Sequence, residues 1–176
     1  MSGLYLASQS PRRTELLHQV GIDHTVVTSS YVEDNVVITD PIEMVKAQAL
    51  GKARCANDVP DGSIVLGADT IVVFDGKVLG KPHSKDEART MLRTLSGQVH
   101  SVITGVALLI KGREIVFHNE TKVYFKTLQD FEIESYIDSM EPMDKAGAYG
   151  IQGKGALWVD KIEGSYTNVV GLPVEH

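Results

Sequence analysis

The run SIVLGADTIVVF, residues 63 to 74, is apolar and rich in β-branched side chains, broken only by Gly67, Asp69 and Thr70. That pattern suits a strand buried on both faces. A carboxylate is out of place in such a strand. Left unpaired, Asp69 would be costly to desolvate, so it needs a metal, a cation or a strong donor beside it. A structural acid satisfied by its neighbours is the competing reading. Asp75-Gly76 follows directly and signals a tight hairpin turn.

Upstream, residues 3 to 8 read as a short strand. Ser10-Pro11 then carries a helix start, a hydroxyl cap followed by proline at the first helical position. Leu16, Leu17 and Val20 give that helix a buried face, and Gly21 is placed to end it. A strand around Thr25 to Thr28 follows, and Asp40-Pro41-Ile42-Glu43 opens a second helix that runs to about Ala56, with Asp40 as cap and Glu43 reaching back to it. Downstream, Ser84-x-x-Glu87 opens a helix to about Leu95, stopped by Gly97. Val99 to Phe125 alternates as a β-meander, Asp130 to Ser139 fits a helix, and a final strand is expected near Ala156 to Val159. Strands alternate with helices early and pair antiparallel later. A mixed α/β fold in one domain, residues 1 to 176, is the expectation.

With 176 residues, 43% of them hydrophobic, the chain can bury a proper core. Its formal net charge is -6, so no broad basic field exists to hold a nucleic-acid polymer. Any phosphate must be gripped locally. The lone Cys55 rules out an internal disulfide and a cysteine-rich metal site. No charged-then-apolar leader and no membrane-length apolar run is seen, so a cytoplasmic protein without a membrane partner is expected.

A local grip for phosphate lies in LASQSPRR, Leu6 to Arg13. A helix N-terminus presents unpaired N–H groups and partial positive charge. Ser10 adds a hydroxyl at its mouth, and Arg12 and Arg13 stand about 100° apart around the helix, able to reach two sides of one polyphosphate. Arginine donates paired hydrogen bonds to phosphate oxygens. A capped surface helix with two solvated arginines explains the same residues equally well. Lys81 stands in LGKP, where Pro82 favours an extended, fixed placement; a surface lysine is the alternative. Lys52, on the second helix among Ala49, Ala53 and Ala56, reads by default as a solvated side chain. Glu33 and Asp34 lie in an unpatterned loop, as metal-binding acids or as ordinary loop acids.

Other chemistries are missing. GKVLGKP resembles a P-loop only loosely, with proline where the magnesium-binding hydroxyl belongs. There is no H-E-x-x-H, no G-x-S-x-G and no strand-bound G-x-G-x-x-G, and the histidines lack metal-like spacing. What remains is carboxylates with Arg and Lys around a helix N-terminus, which suits magnesium-assisted attack of water on a phosphate ester or anhydride. The segment AGAYGIQGKG lets main chain approach a flat ring closely. Within it Gln152 carries one acceptor and an amide donor pair, able to pair with the edge of a base; an ordinary flexible loop is the alternative.

LASQSPRR, GADT (67 to 70), LGKP (79 to 82), LSG (95 to 97), DKAGAYGIQG (144 to 153) and NVVGLP (168 to 173) together resemble the Maf, or septum formation inhibitor, family of nucleoside triphosphate pyrophosphatases. The resemblance spans nearly the whole chain. It implies a twisted α/β fold similar to the inosine-triphosphate pyrophosphatases, with two lobes around a central cleft. It also implies cleavage between the α- and β-phosphates with a divalent metal, Mg2+ or Mn2+, and a homodimer. Carried over by position, the phosphate-binding residues are Ser8, Ser10, Arg12, Lys52 and Lys81. The catalytic and metal-binding carboxylates are Glu33 and Asp69. Arg13, Thr70 and Gln152 resemble the branch acting on dTTP and UTP. The family continues into a further helix beyond Glu175-His176. A rival reading is a nucleotide-binding regulator of cell division that acts through a protein partner.

Overall fold

The computed structural model of the chain describes residues 3–32 and 39–176. The buried run forms β3 (Ile64–Phe74) inside a mixed sheet. Before it come β1 (Leu4–Leu6), α1 (Pro11–Gln19), β2 (Thr25–Val26) and α2 (Pro41–Arg54). After it come β4 (Lys77–Leu79), α3 (Lys85–Leu95), β5 (Val99–Ile110), β6 (Arg113–Phe125), α4 (Asp130–Asp138), β7 (Val159–Glu163) and α5 (Tyr166–Val170). Among the described residues the sheet has seven strands, in the order β2-β1-β3-β5-β6-β7 with β4 on β3. β1 runs parallel to both neighbours, placing Leu6 opposite Leu66, while β3 with β4 and β6 with β7 pair antiparallel.

The local signals act as their chemistry requires. Asp75 and Gly76 take positive φ, 50° and 75°, as a two-residue hairpin turn needs. Asp40 caps α2 by accepting the Ile42 N–H at 3.0 Å, and Ser84 caps α3 by accepting the Glu87 N–H at 3.1 Å. Three expectations fail. Val20, expected on the buried face of the first helix, is 49% exposed and caps α1 at its C-terminal end, where the helix has already stopped. Ser10 sits at the N-cap of α1 with Pro11 next, yet its side chain makes no cap bond. Instead its own N–H donates to Ser8 Oγ at 3.2 Å, which moves the polar role two residues upstream. The final strand is also displaced. Lys154–Trp158 forms a 3-10 turn and the strand is Val159–Glu163, because the Trp158 ring turns inward onto Tyr136, 4.7 Å between centroids. The short α5 carried no periodic signal in the sequence.

The chain packs as two compact units. The first comprises Met1–Thr70, Ile103–Asn119 and Gly171–His176. Its core includes Ala7, Ala49, Ala53, Val65 and Ala107, small side chains that let α2 settle closely on β3 and β5. A Cβ on Gly67 would lie 2.3 Å from the Ala49 carbonyl oxygen, and one on Gly105 would lie 2.4 Å from that of Val45. Helix backbone thus rests on strand backbone at two glycines. The second unit comprises Ile71–Val102 and Glu120–Val170. Its core joins Leu92, Leu95, Val102, Val123, Ile133 and Ile137 to the rings of Phe125, Tyr136, Tyr149 and Trp158. His100 is buried among these rings, with Nε2 2.7 Å from Tyr149 Oη.

Gly67→Ala should lower stability by about 1–3 kcal/mol, the usual cost of overpacking, because the two nearest atoms met, the Ala49 carbonyl oxygen and the Ala53 nitrogen, are backbone. A urea titration checks this, and a wild-type midpoint would contradict the close contact. Burial also lowers the His100 pKa from 6.5 to about 4. The unfolded chain then binds more protons between those values, so the contribution is complete above about pH 6.5 and is lost as pH falls toward 4, about 3 kcal/mol in all. His100→Gln should flatten that portion of the stability profile in urea titrations at pH 7 and 4.5.

Candidate active site

Asp69 lies on β3 two residues beyond Gly67 and shares its face of the strand. That face meets α2, and Lys52 stands one residue before Ala53, whose backbone N would lie 2.9 Å from a Cβ on Gly67. Lys52 Nζ consequently donates to Asp69 Oδ1 at 3.1 Å and approaches the Ala68 carbonyl at 3.5 Å. Both side chains are largely buried, 20% and 11% exposed, so breaking this pair costs more than breaking one in open solvent. The segment before α2 fixes the lysine from behind: Ser29 Oγ donates to the Lys52 carbonyl at 2.7 Å, and Tyr31 packs so tightly on Gly51 that a Cβ there would meet its ring at 2.1 Å.

The mouth of α1 is organised by Arg13, which is only 8% exposed. Each of its three side-chain nitrogens donates within the first unit. Nε bonds the Gly171 carbonyl at 2.8 Å, Nη1 bonds Ser8 Oγ at 3.0 Å, and Nη2 bonds Thr70 Oγ1 at 3.0 Å. This removes the solvated reading for Arg13. Thr70 Oγ1 in turn lies 2.9 Å from Thr104 Oγ1 on β5. Ser8 Oγ accepts from both Arg13 and the Ser10 N–H. With its lone pairs engaged, the Ser8 hydroxyl proton remains to donate, the polarity a phosphate oxygen needs. Arg12, the next position in α1, is half-buried, as is Ser10.

Sequence reasoning missed Thr104 and Gly171. A hydroxyl inside the apolar HSVITGVALLI was the available signal for Thr104. Gly171 has φ 141°, a conformation that favours glycine, and its carbonyl is what the site uses.

Lys81 and Gln152 belong to the second unit, and both are exposed. The Gly147 N–H donates to the Gly80 carbonyl at 3.1 Å, so the backbone beside Lys81 is tied to the glycine-rich segment that carries Gln152. Tyr149, between Gly147 and Gln152, is buried, and burial pushes its phenol up, keeping it protonated. Glu33, with Asp34, lies outside the described residues.

Among the described residues no group of three or more His, Cys, Asp or Glu is gathered that could hold a metal on its own. The donor chemistry still fits Mg2+ or Mn2+, which bind hard oxygen and commonly take one or two carboxylates together with substrate phosphates. Asp69 is such a carboxylate.

The Maf-like protein family matches residues 3–176. A protein of Symbiobacterium thermophilum named dTTP/UTP pyrophosphatase is 53% identical over 174 residues, covering 99% of this chain and 90% of its own. Proteins of the same name from Bacillus cytotoxicus and Bacillus cereus are 48% and 46% identical, each over 99% of this chain and 91% of their own. The chain of these residues, from the mouth of α1 to Gly171, belongs to the Maf family.

Proposed function

We propose that this protein hydrolyses dTTP and UTP between the α- and β-phosphates, releasing the nucleoside monophosphate and pyrophosphate. The observation that carries the reading is Asp69, an acid held inside a buried strand and paired with Lys52 at 3.1 Å. Relatives of nearly full length at 46–53% identity carry the name of that activity.

In this mechanism Asp69 takes a proton from water as its oxygen bonds to the α-phosphorus. The bond from that phosphorus to the bridging oxygen breaks, and pyrophosphate leaves with the bond's electrons. Little covalent work falls to the protein; positioning and charge dominate phosphoryl transfer. Arg12, Ser8, Ser10 and the N–H groups opening α1 receive phosphate oxygens. Lys52 both orients Asp69 and brings positive charge to the site. Arg13 acts through Ser8 and Thr70, holding their hydroxyls in place. Following the family resemblance, Lys81 grips the triphosphate and Gln152 reads the pyrimidine edge. A divalent cation held by Asp69, with Glu33, would neutralise charge on the phosphate oxygens.

Asp69→Asn should lower turnover on the order of 100- to 10,000-fold, measured as pyrophosphate release with added Mg2+ or Mn2+. Near-normal turnover would make Asp69 structural. Arg12→Ala and Lys81→Ala should each cost roughly 1.5–3 kcal/mol in kcat/KM for a triphosphate, with a smaller loss of affinity for the monophosphate.

In a substrate panel dTTP and UTP should exceed CTP, and far exceed ATP and GTP. Gln152→Ala should erode the preference, since wrong bases leave its amide unpaired. Saturable binding of every triphosphate without turnover would favour a regulator instead.

A further inference from the structure

Gln152 is exposed in the second unit, and an exposed amide reads a base edge only if its backbone is fixed. The residue that fixes it stands outside the glycine-rich segment. Glu141 opens a 3-10 turn, Glu141–Asp144, just after α4. Its Oε1 accepts the Tyr136 hydroxyl at 3.1 Å, and the same hydroxyl oxygen accepts the Gly150 N–H at 3.0 Å. Its Oε2 accepts the Lys154 N–H at 3.4 Å. Between those two anchor points the chain passes over the carboxylate itself, for a Cβ on Gly153 would lie 1.9 Å from Oε1. Lys145 supports the arrangement from the other side. Its Nζ donates to the Glu141 carbonyl at 2.8 Å, and its Cε would lie 2.6 Å from a Cβ on Gly150.

We propose that Glu141 is a positioning residue for base selection: one carboxylate clamps the backbone on both sides of Gln152, at Gly150 through the Tyr136 hydroxyl and at Lys154 directly. This rests on the reading of Gln152 as the base-recognising residue. The clamp explains why glycine stands at 153, where any side chain would displace the carboxylate. It also gives a reason for a hydroxyl on Tyr136, a ring otherwise packed against Trp158 in the core. Reach matters more than charge. A glutamine keeps the length and one acceptor, whereas an aspartate keeps the charge but falls a methylene short.

The experiment compares kcat/KM for dTTP with that for CTP in the full chain. This ratio does not depend on what fraction of a variant is folded. Glu141→Ala should lower the dTTP:CTP ratio about tenfold, through KM for dTTP, with kcat changed less than about threefold. Glu141→Asp should behave like the alanine variant, and Glu141→Gln should recover most of the ratio. Tyr136→Phe, which keeps the ring in the core, should shift the ratio in the same direction by releasing the Gly150 end. A wild-type ratio in Glu141→Ala, Glu141→Asp or Tyr136→Phe overturns the clamp, as does a Glu141→Gln ratio as low as that of alanine. Gln152→Ala run alongside separates the two failures. If it erodes the ratio while the Glu141 variants do not, only the clamp is wrong; if it leaves the ratio intact, the base-reading role and the clamp fall together.

Discussion

The approach of α2 to the sheet is the constraint on which the first unit depends. At Gly67 and Gly105 the helix backbone comes so near the strands that a methyl group would overlap a carbonyl oxygen. An ordinary helix-on-sheet contact separates the backbones by a layer of side chains; here that layer has been removed at two points. The consequence is chemical. With the helix held this near, a lysine extended from α2 reaches an acid on β3, and the long aliphatic stem of Lys52 stays buried while its ammonium meets Asp69. A helix lifted by even one methyl would draw the two charges apart inside the protein, where separation costs most.

A second constraint is the anchoring of Arg13. Its guanidinium is buried and answered by a main-chain carbonyl and two hydroxyls, so Arg12 and Arg13, adjacent in sequence, have different duties. One is set into the protein and the other stands half-buried at the helix mouth. Arginine is suited to the first duty because its planar fork can satisfy several acceptors in fixed directions. Substituting lysine there would keep the charge but lose that geometry, and Ser8 and Thr70 would lose the donors that orient their hydroxyls.

Much of this was legible in the chain. The apolar run at 63 to 74 gave away β3, and a carboxylate inside it needed a metal, a cation or a strong donor beside it. Asp75-Gly76 and the Ser84 cap read correctly because turns and caps are local, set by residues within four positions. The identity of the cation was not legible. Alanines surround Lys52 on α2, so no clear polar face distinguished it from a solvated lysine, and only tertiary contact selects it. The partners of Arg13 were hidden for the same reason, since Thr70 and Gly171 are distant in sequence. The last strand was misplaced because Ala156 to Val159 is apolar enough for a strand, while its register is decided by where Trp158 finds a ring to pack against.

The bond from Arg13 to the Gly171 carbonyl spans 158 positions, and that has a meaning for synthesis. At about 5–20 residues per second, Arg13 is made roughly eight to thirty seconds before its acceptor exists. Throughout that interval the guanidinium has no complete burial site, and β1, α1 and β3 can associate only in an unfinished form. The hydroxyls of Ser8 and Thr70, which Arg13 holds in place, are therefore among the last features of the fold to be set. A nascent chain displaying most of its secondary structure would still lack an ordered helix mouth, and nucleotide recognition would begin only after translation has passed Gly171.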